Sequence, residues 1–500
     1  MFPFLFSIKK AKHRLLLGGF CLMCCLLNAC QEEKLAKYVF LFIGDGASYA
    51  QRRLTELAEG KHLFVNTLPV QGVATAASAK SNLADTASSA GALATGQLGA
   101  EGMISMLSEN EPALPLITSV VAEKGYAVGI IADSFLDGAV PASFYAHSAK
   151  KQNYYDIAVQ TKDSGISLMI GQAFKRQKSF QKEDLGVVLK NGGYKQLFSL
   201  QKDEVLPSGK VIASLKNIPF AIDAKPEAPS LAMFVQKAID KFQGEKGFVL
   251  ITIGSKMNQA AGMHDTAALI KEINAFDQAV QAAWDFYHTH DQETLIIVTG
   301  TVETGGLTLG VDNSGDLKAD ILKNQNISAD AFKPVISRFR QRRQAGAVLE
   351  DFMPQIEKNF GLRILSKEQK KELNAKAKAG DEEAKKALEM NLSAAELSGL
   401  REAFRYSMME PAKRPKTEAY VNKYDKYDPL QIAPAQILAR RAGLGYSTFG
   451  QTGVPVPVSA IGNGAFFFMG NYPQTALFGK LLKAMGITVQ ETKPLQEEQK

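Results

Sequence analysis

"YVFLFIGDG", Tyr38 to Gly46, is an unbroken apolar run stopped by a glycine turn that carries a single acid, Asp45. An apolar run without polar alternation suits a strand covered on both faces, as in the middle of a parallel sheet. "AVGIIAD" (127–133), "GFVLITIG" (247–254) and "TLIIVTG" (294–300) read the same way. Helical patterns lie between them. The clearest is "TAALIKEINAFDQAVQAAWDFYH", in which Leu269, Ile273, Phe276, Val280 and Trp284 recur at helical spacing. Strands alternating with helices argue for an α/β sheet. Ligands of such sheets sit beyond the carboxyl ends of the strands, which is where Asp45, Ile253 and Thr301 fall.

The 500 residues are 46% hydrophobic and 22% charged, ordinary values for a globular chain with a large core. The first 29 residues read as a leader. Lys9, Lys10, Lys12 and Arg14 precede the apolar "LLLGGFCLMCCLL", which is too short for a stable membrane span. The leader ends in "LNAC", Leu27 to Cys30, which resembles a bacterial lipobox and implies cleavage before Cys30 and acylation of its sulfur. The alternative is a plain signal peptide cut without lipid. The expected location is the bacterial cell envelope, with the membrane as partner through lipid on Cys30. Cys21, Cys24 and Cys25 leave with the leader, so the mature chain has neither a disulfide framework nor a thiolate metal site. Removing the leader takes four positive charges and no acid, and the formal charge falls from +7 to +3. Nothing in that balance points to nucleic acid.

Residues 30–37 read as a tether, 38–490 as a single domain and 491–500 as a polar tail. Residues 366–412, rich in Lys, Glu and Ala, read as two solvated surface helices, broken near "KAGDEE" and "MNLSAAE", with Ser393 capping the second.

Four stretches line up in order: "FIGDG", "ADTASSAGALATG", "VTGTVETGGLTLG" and "STFGQTGVPVPV". Together with the C-terminal "NGAFFFMGNYPQTALFGKLLKAMGI", this order resembles the alkaline phosphatase family over roughly residues 36–487. The resemblance implies a three-layer α/β/α sandwich with a largely parallel central sheet, often assembled as a homodimer. It also implies a site at the carboxyl edge of the sheet in which two zinc ions and one magnesium ion activate a Ser or Thr hydroxyl. Asp45 matches the metal-bridging Asp, and Thr86 matches the nucleophile.

Other ligand positions depart from the family pattern. Val140 stands for a ligand Thr, with Gly138 beside it, and Lys151 for the phosphate-binding Arg. Ile253, Asn258 and Gly262 stand for Glu, Asp and His. Thr301 and Val302 stand for an Asp–His pair, and Gln451 for the last His. Moving the frame to use His264 would place Ala260 where an Asp belongs.

One carboxylate and one neutral hydroxyl are a poor match for zinc, which is usually held by three or four anionic or imidazole ligands. Three acids have gone with the histidines, as a site rebuilt for a metal-free state requires. Asp45 is then expected to take Lys151 or Lys256 as its counter-ion. Thr86 is expected to serve as a helix cap, or, with the helix start and Lys151, to hold a phosphate-like anion. The leading expectation is a lipid-anchored, non-catalytic family member with no cofactor. The alternative is an active phosphate- or sulfate-ester hydrolase using Thr86 and replacement metal ligands. A third reading is a structural lipoprotein with an empty cleft.

Overall fold

The structure is a computed structural model that describes residues 35–179, 181–311, 315–342 and 346–488. Cys30, the leader and the residues from 489 onward lie outside the described residues. The strands are β1 (Tyr38–Gly46), β2 (Val70–Thr75), β3 (Ala127–Phe135), β4 (Leu168–Gln172), β5 (Lys195–Leu197), β6 (Val211–Leu215), β7 (Phe248–Gly254), β8 (Thr294–Thr304), β9 (Leu307–Leu309), β10 (Leu444–Tyr446), β11 (Gln451–Thr452), β12 (Val456–Gly462) and β13 (Gly470–Pro473). The helices that bear on the site and its surroundings are α1 (Thr86–Thr95), α2 (Ala139–Ser143), α3 (Lys256–Gly262), α4 (Thr266–His290), α5 (Lys367–Lys378), α6 (Glu382–Glu389), α7 (Ala394–Ser407), α8 (Pro429–Arg441) and α9 (Ala476–Ala484).

The main sheet runs β13-β2-β12-β8-β1-β7-β3-β4-β6-β5, with β11 paired to the end of β8. β1 lies at its centre, parallel to both β7 and β8. β12 is antiparallel to β2 and β8, and the rest of that path is parallel. The sheet is therefore mostly parallel.

Alternation along β1 explains the layering. Phe40 and Phe42 enter one core with Phe276, Ile273 and Leu269 of α4. Val39, Leu41 and Ile43 enter the other with Ala87, Ala90 and Leu93 of α1 and Leu477 of α9. A strand buried on both faces must be apolar at every position, which is the pattern read in "YVFLFI".

Residues 366–412 form three helices, α5 to α7, where the sequence suggested two. Ser366, Asp381 and Ser393 each accept a backbone N–H at a helix start, so each break carries its own cap. α5 buries no residue, but α7 buries Leu400, Ala403 and Phe404 and packs on α8. The charge run hides an apolar stripe, and only the first helix is fully solvated.

Candidate functional site

The parallel register brings the motif ends to one edge. Ile43 faces Ile253, and Gly44 lies between Gly254 and Gly300. Gly46 turns the chain there with φ +82°, and a Cβ on it would meet Asn258 Cα at 2.5 Å. Only glycine permits that backbone shape and that approach of α3. The approach sets the Asn258 side chain against Asp45.

Asp45 is buried, and both its oxygens accept hydrogen bonds from neutral groups. Thr301 Oγ1 donates to Oδ1 at 2.5 Å, and Asn258 Nδ2 donates to Oδ2 at 3.1 Å. Burial pushes its pKa up to about 7 against the pull of those two hydrogen bonds, and the negative charges of Asp133 and Asp85 push the same way. Asn258 Nδ2 donates also to Thr86 Oγ1 at 3.2 Å, while Asn258 Oδ1 accepts from Thr304 Oγ1 at 2.8 Å. The amide thus bridges the acid and the hydroxyl.

Thr86 is the first residue of α1, and the cap is its neighbour Asp85, whose carboxylate accepts from Ser88 N at 2.9 Å. The expectation that Thr86 caps the helix is corrected accordingly. Among the described residues, no carboxylate or imidazole accepts a hydrogen bond from Thr86. A hydroxyl without a base or a metal stays protonated at neutral pH and is a weak nucleophile.

Neither lysine proposed as a counter-ion partners Asp45. Lys151 Nζ donates to Asp85 Oδ2 at 2.7 Å. Burial pushes Asp85 up, but Lys151 and the Ser88 N–H outweigh it and hold Asp85 below the usual carboxylate range. Lys256 begins α3 next to Asp133. Its backbone N–H points at Asp133 Oδ2 at 3.3 Å, and its ammonium lies over the Phe220 ring at 4.5 Å. Asp45 is satisfied without a buried ion pair because two neutral donors reach it and partial protonation lowers its charge. Either route avoids desolvating an ammonium beside it.

The remaining substituted positions are filled with packing. Val140 is buried in α2 where it lines the cleft, and Ile253 and Val302 are buried in β7 and β8. At Gly262, an added Cβ would lie 3.1 Å from the Tyr427 hydroxyl and 3.4 Å from the Phe449 carbonyl, so Tyr427 occupies the room of a longer side chain. Gly262→His is expected to destabilise the fold by about 2–3 kcal/mol, and by less in a Tyr427→Ala background. Urea melts of the two single variants and the double variant check this; additive losses would show that the positions do not compete. Gln451 pairs with Thr304 through β11 and lines the cleft. His264 is sandwiched between Tyr446 and Phe449 at 4.4 and 4.2 Å. Its Nε2 bonds the Thr448 carbonyl at 2.8 Å and its Nδ1 faces Gln436 Nε2 at 3.2 Å, so both ring nitrogens are engaged. Burial lowers its pKa and favours the neutral ring.

The chemistry of this donor set does not fit zinc or magnesium. Among the described residues, Asp45 is the only acid lining the cleft, and an amide N–H and a hydroxyl point at its oxygens, where a cation would need lone pairs. Among the described residues, no three His, Cys, Asp or Glu side chains gather as a metal-holding group.

The cleft itself is open, about 420 Å³, and is lined among the described residues by Asp45, Lys175, Lys426 and Lys151, the last paired with Asp85. Lys175 lies over the Tyr154 and Phe135 rings at 4.3 and 5.1 Å. Lys175, Lys426 and Tyr427 carry no sequence signal, because loops distant in the chain deliver them. Glu303 stands inside "ETGG" at the end of β8. It is buried and accepts from Gln51 Nε2, Thr452 Oγ1 and the Gly306 N–H, so it ties β8 to the turn that follows and offers no free lone pair to the cleft.

A family model described as alkaline phosphatase matches residues 36–209 and 214–487. Alkaline phosphatase 3 of Bacillus subtilis is 26% identical over 470 residues, which span 90% of this chain and 89% of that one. Alkaline phosphatase 4 of the same organism is 28% identical over 253 residues, 48% of this chain and about half (53%) of that one. The crystal structure of a cold-active alkaline phosphatase from a psychrophilic Shewanella superposes with a TM-score of 0.70 at 23% identity, covering 90% of this chain and 99% of that one. That likeness is one of fold. The chain belongs to the alkaline phosphatase family.

Proposed function

We propose that this chain is an envelope-anchored family member that has given up metal-dependent hydrolysis and holds a phosphate-like anion in the lysine-lined cleft. The observation that carries the reading is the Asn258 amide, which stands at a ligand-Asp position and donates to both Asp45 and Thr86. An amide there neutralises the charge that would attract a cation and hydrogen-bonds the one hydroxyl placed to attack phosphorus. Lys175 and Lys426, with Lys151 beside its Asp85 partner, supply positive charge suited to an anion that is bound and not cleaved. Acylated Cys30 would hold the protein at a membrane surface.

The test is metal content and phosphatase activity on one preparation purified without chelator. The expected result is no stoichiometric zinc and no p-nitrophenyl phosphate turnover above a Thr86→Ala control, with zinc and magnesium added. Zinc-dependent turnover abolished by Thr86→Ala would establish the hydrolase reading in its place. Phosphate at ten times its Kd is expected to stabilise the protein by about 1.4 kcal/mol, with the effect lost in Lys151→Ala. A phosphate-insensitive melting temperature would leave a structural protein with an empty cleft.

A further inference from the structure

At the amino edge of the sheet, opposite the cleft, the chain leaves the fold towards Cys30. Ala36 N donates to the Ala484 carbonyl at 2.9 Å, and Leu35, 51% exposed, packs at Gly486 just beyond α9. Ala484 in turn touches Gly464, where the turn between β12 and β13 begins. That turn carries Phe466 and Met469, 55% and 60% exposed, with the Phe467 ring tilted against Phe466 at 4.1 Å. Lys483 lies over the Phe467 ring at 4.4 Å, and Lys480 lies over the Tyr472 ring at 4.2 Å. Exposed aromatic and thioether side chains flanked by ammonium groups are the composition of a surface that enters a lipid headgroup layer.

The length of the connecting chain selects the occupant. Leu35 follows Cys30 by five residues, which reach at most about 18 Å when fully extended. An acyl group on Cys30 therefore keeps the Leu35 edge against the membrane, and the Phe466–Met469 turn adjoins it. β1 runs about 23 Å from Tyr38 at this edge to Asp45.

We infer that the Leu35, Phe466 and Met469 surface, with Lys480 and Lys483, is a docking face for an anionic lipid bilayer, and that it turns the cleft away from the membrane. An apolar and basic patch adds a surface contact to a lipid anchor and fixes how the fold sits on the bilayer. Lys37 on the same edge is already paired with Glu293 at 3.5 Å, so Lys480 and Lys483 carry the attraction. The inference rests on acylation of Cys30, which is measured separately.

The experiment uses the full chain reconstituted in phosphatidylethanolamine and phosphatidylglycerol vesicles, with a nitroxide on Met469→Cys or, at the cleft, on Gln152→Cys. The mass of the N-terminal peptide reports acylation in the same sample. The expected result is an acylated Cys30 and an oxygen-to-nickel-chelate accessibility ratio at least about threefold higher at 469 than at 152. Acylation with equal ratios at the two positions overturns the docking face and leaves the anchor standing; an unmodified Cys30 overturns both. Protection of 469 that persists without vesicles, in a stable dimer, assigns the surface to a second copy and overturns the lipid assignment. In a Cys30→Ser chain, Phe466→Asp and Lys483→Glu are each expected to lower partitioning onto the same vesicles about tenfold. Both side chains project from the surface, so a fold-disrupting effect is not expected, and unchanged partitioning overturns the proposal.

Discussion

Asn258→Asp is expected to lower folding stability by about 3–5 kcal/mol at pH 8. The substitution replaces the Nδ2 donor, 3.1 Å from Asp45 Oδ2, with a carboxylate oxygen, and it takes the hydrogen bond from Thr86 as well. Two carboxylates at that separation in a buried site cannot both stay ionised, so one must take up a proton or the fold must bear the repulsion. At pH 5 a proton shared between them restores a hydrogen bond, and most of the loss should disappear. Urea melts at the two pH values check this, and an equal loss at both would rule out the electrostatic account. Magnesium is expected to leave the parent chain unmoved and to stabilise the variant at pH 8, because a second acid gives the site the opposing charge it lacks.

Asp45→Asn acts in the opposite direction and should stabilise the protein at pH 8 by about 2–4 kcal/mol. The sign follows from proton linkage. An unfolded Asp titrates near 3.9, whereas Asp45 in the fold titrates at about 7, so the folded state binds the extra proton between those values. Its stabilising contribution is full below pH 4 and is lost as pH rises through 7. Asparagine resembles the protonated acid and does not carry that loss. It keeps an acceptor for Thr301, and rotation of the Asn258 amide would let its oxygen accept from the new amide. The gain over the parent should fade between pH 8 and pH 4. Burial also raises Asp133 and Asp265 to about 6 and Glu272 to about 8, so the parent itself should lose stability with rising pH; the difference between the two chains isolates Asp45. A variant less stable than the parent at pH 8 would mean that Asp45 is held ionised by a charge not recognised in the site. Stabilisation by removing an acid would mark a position kept for a purpose other than folding.

The layered α/β fold, the double burial of β1 and the convergence of Asp45, Ile253 and Thr301 at one edge were legible in the sequence. Each follows from apolar runs and from the rule that parallel strands align their ends. That Val140, Gly262, Val302 and Gln451 depart from the family's ligand pattern came from the resemblance, since residue identity needs no coordinates. The partner of Asp45 was not. The sequence offered Lys151 and Lys256 as free cations, but Lys151 is committed to the helix cap at Asp85 and Lys256 is turned towards Asp133 and Phe220. The exposed Phe466 turn beside the route to Cys30 was equally hidden, because 436 residues separate two segments that β12, α9 and the first strand bring to one edge. Local pattern reports what a segment buries, whereas the pairing of a buried charge and the joining of distant surfaces depend on which side chain arrives first at a shared space, and that is settled only when the layers close.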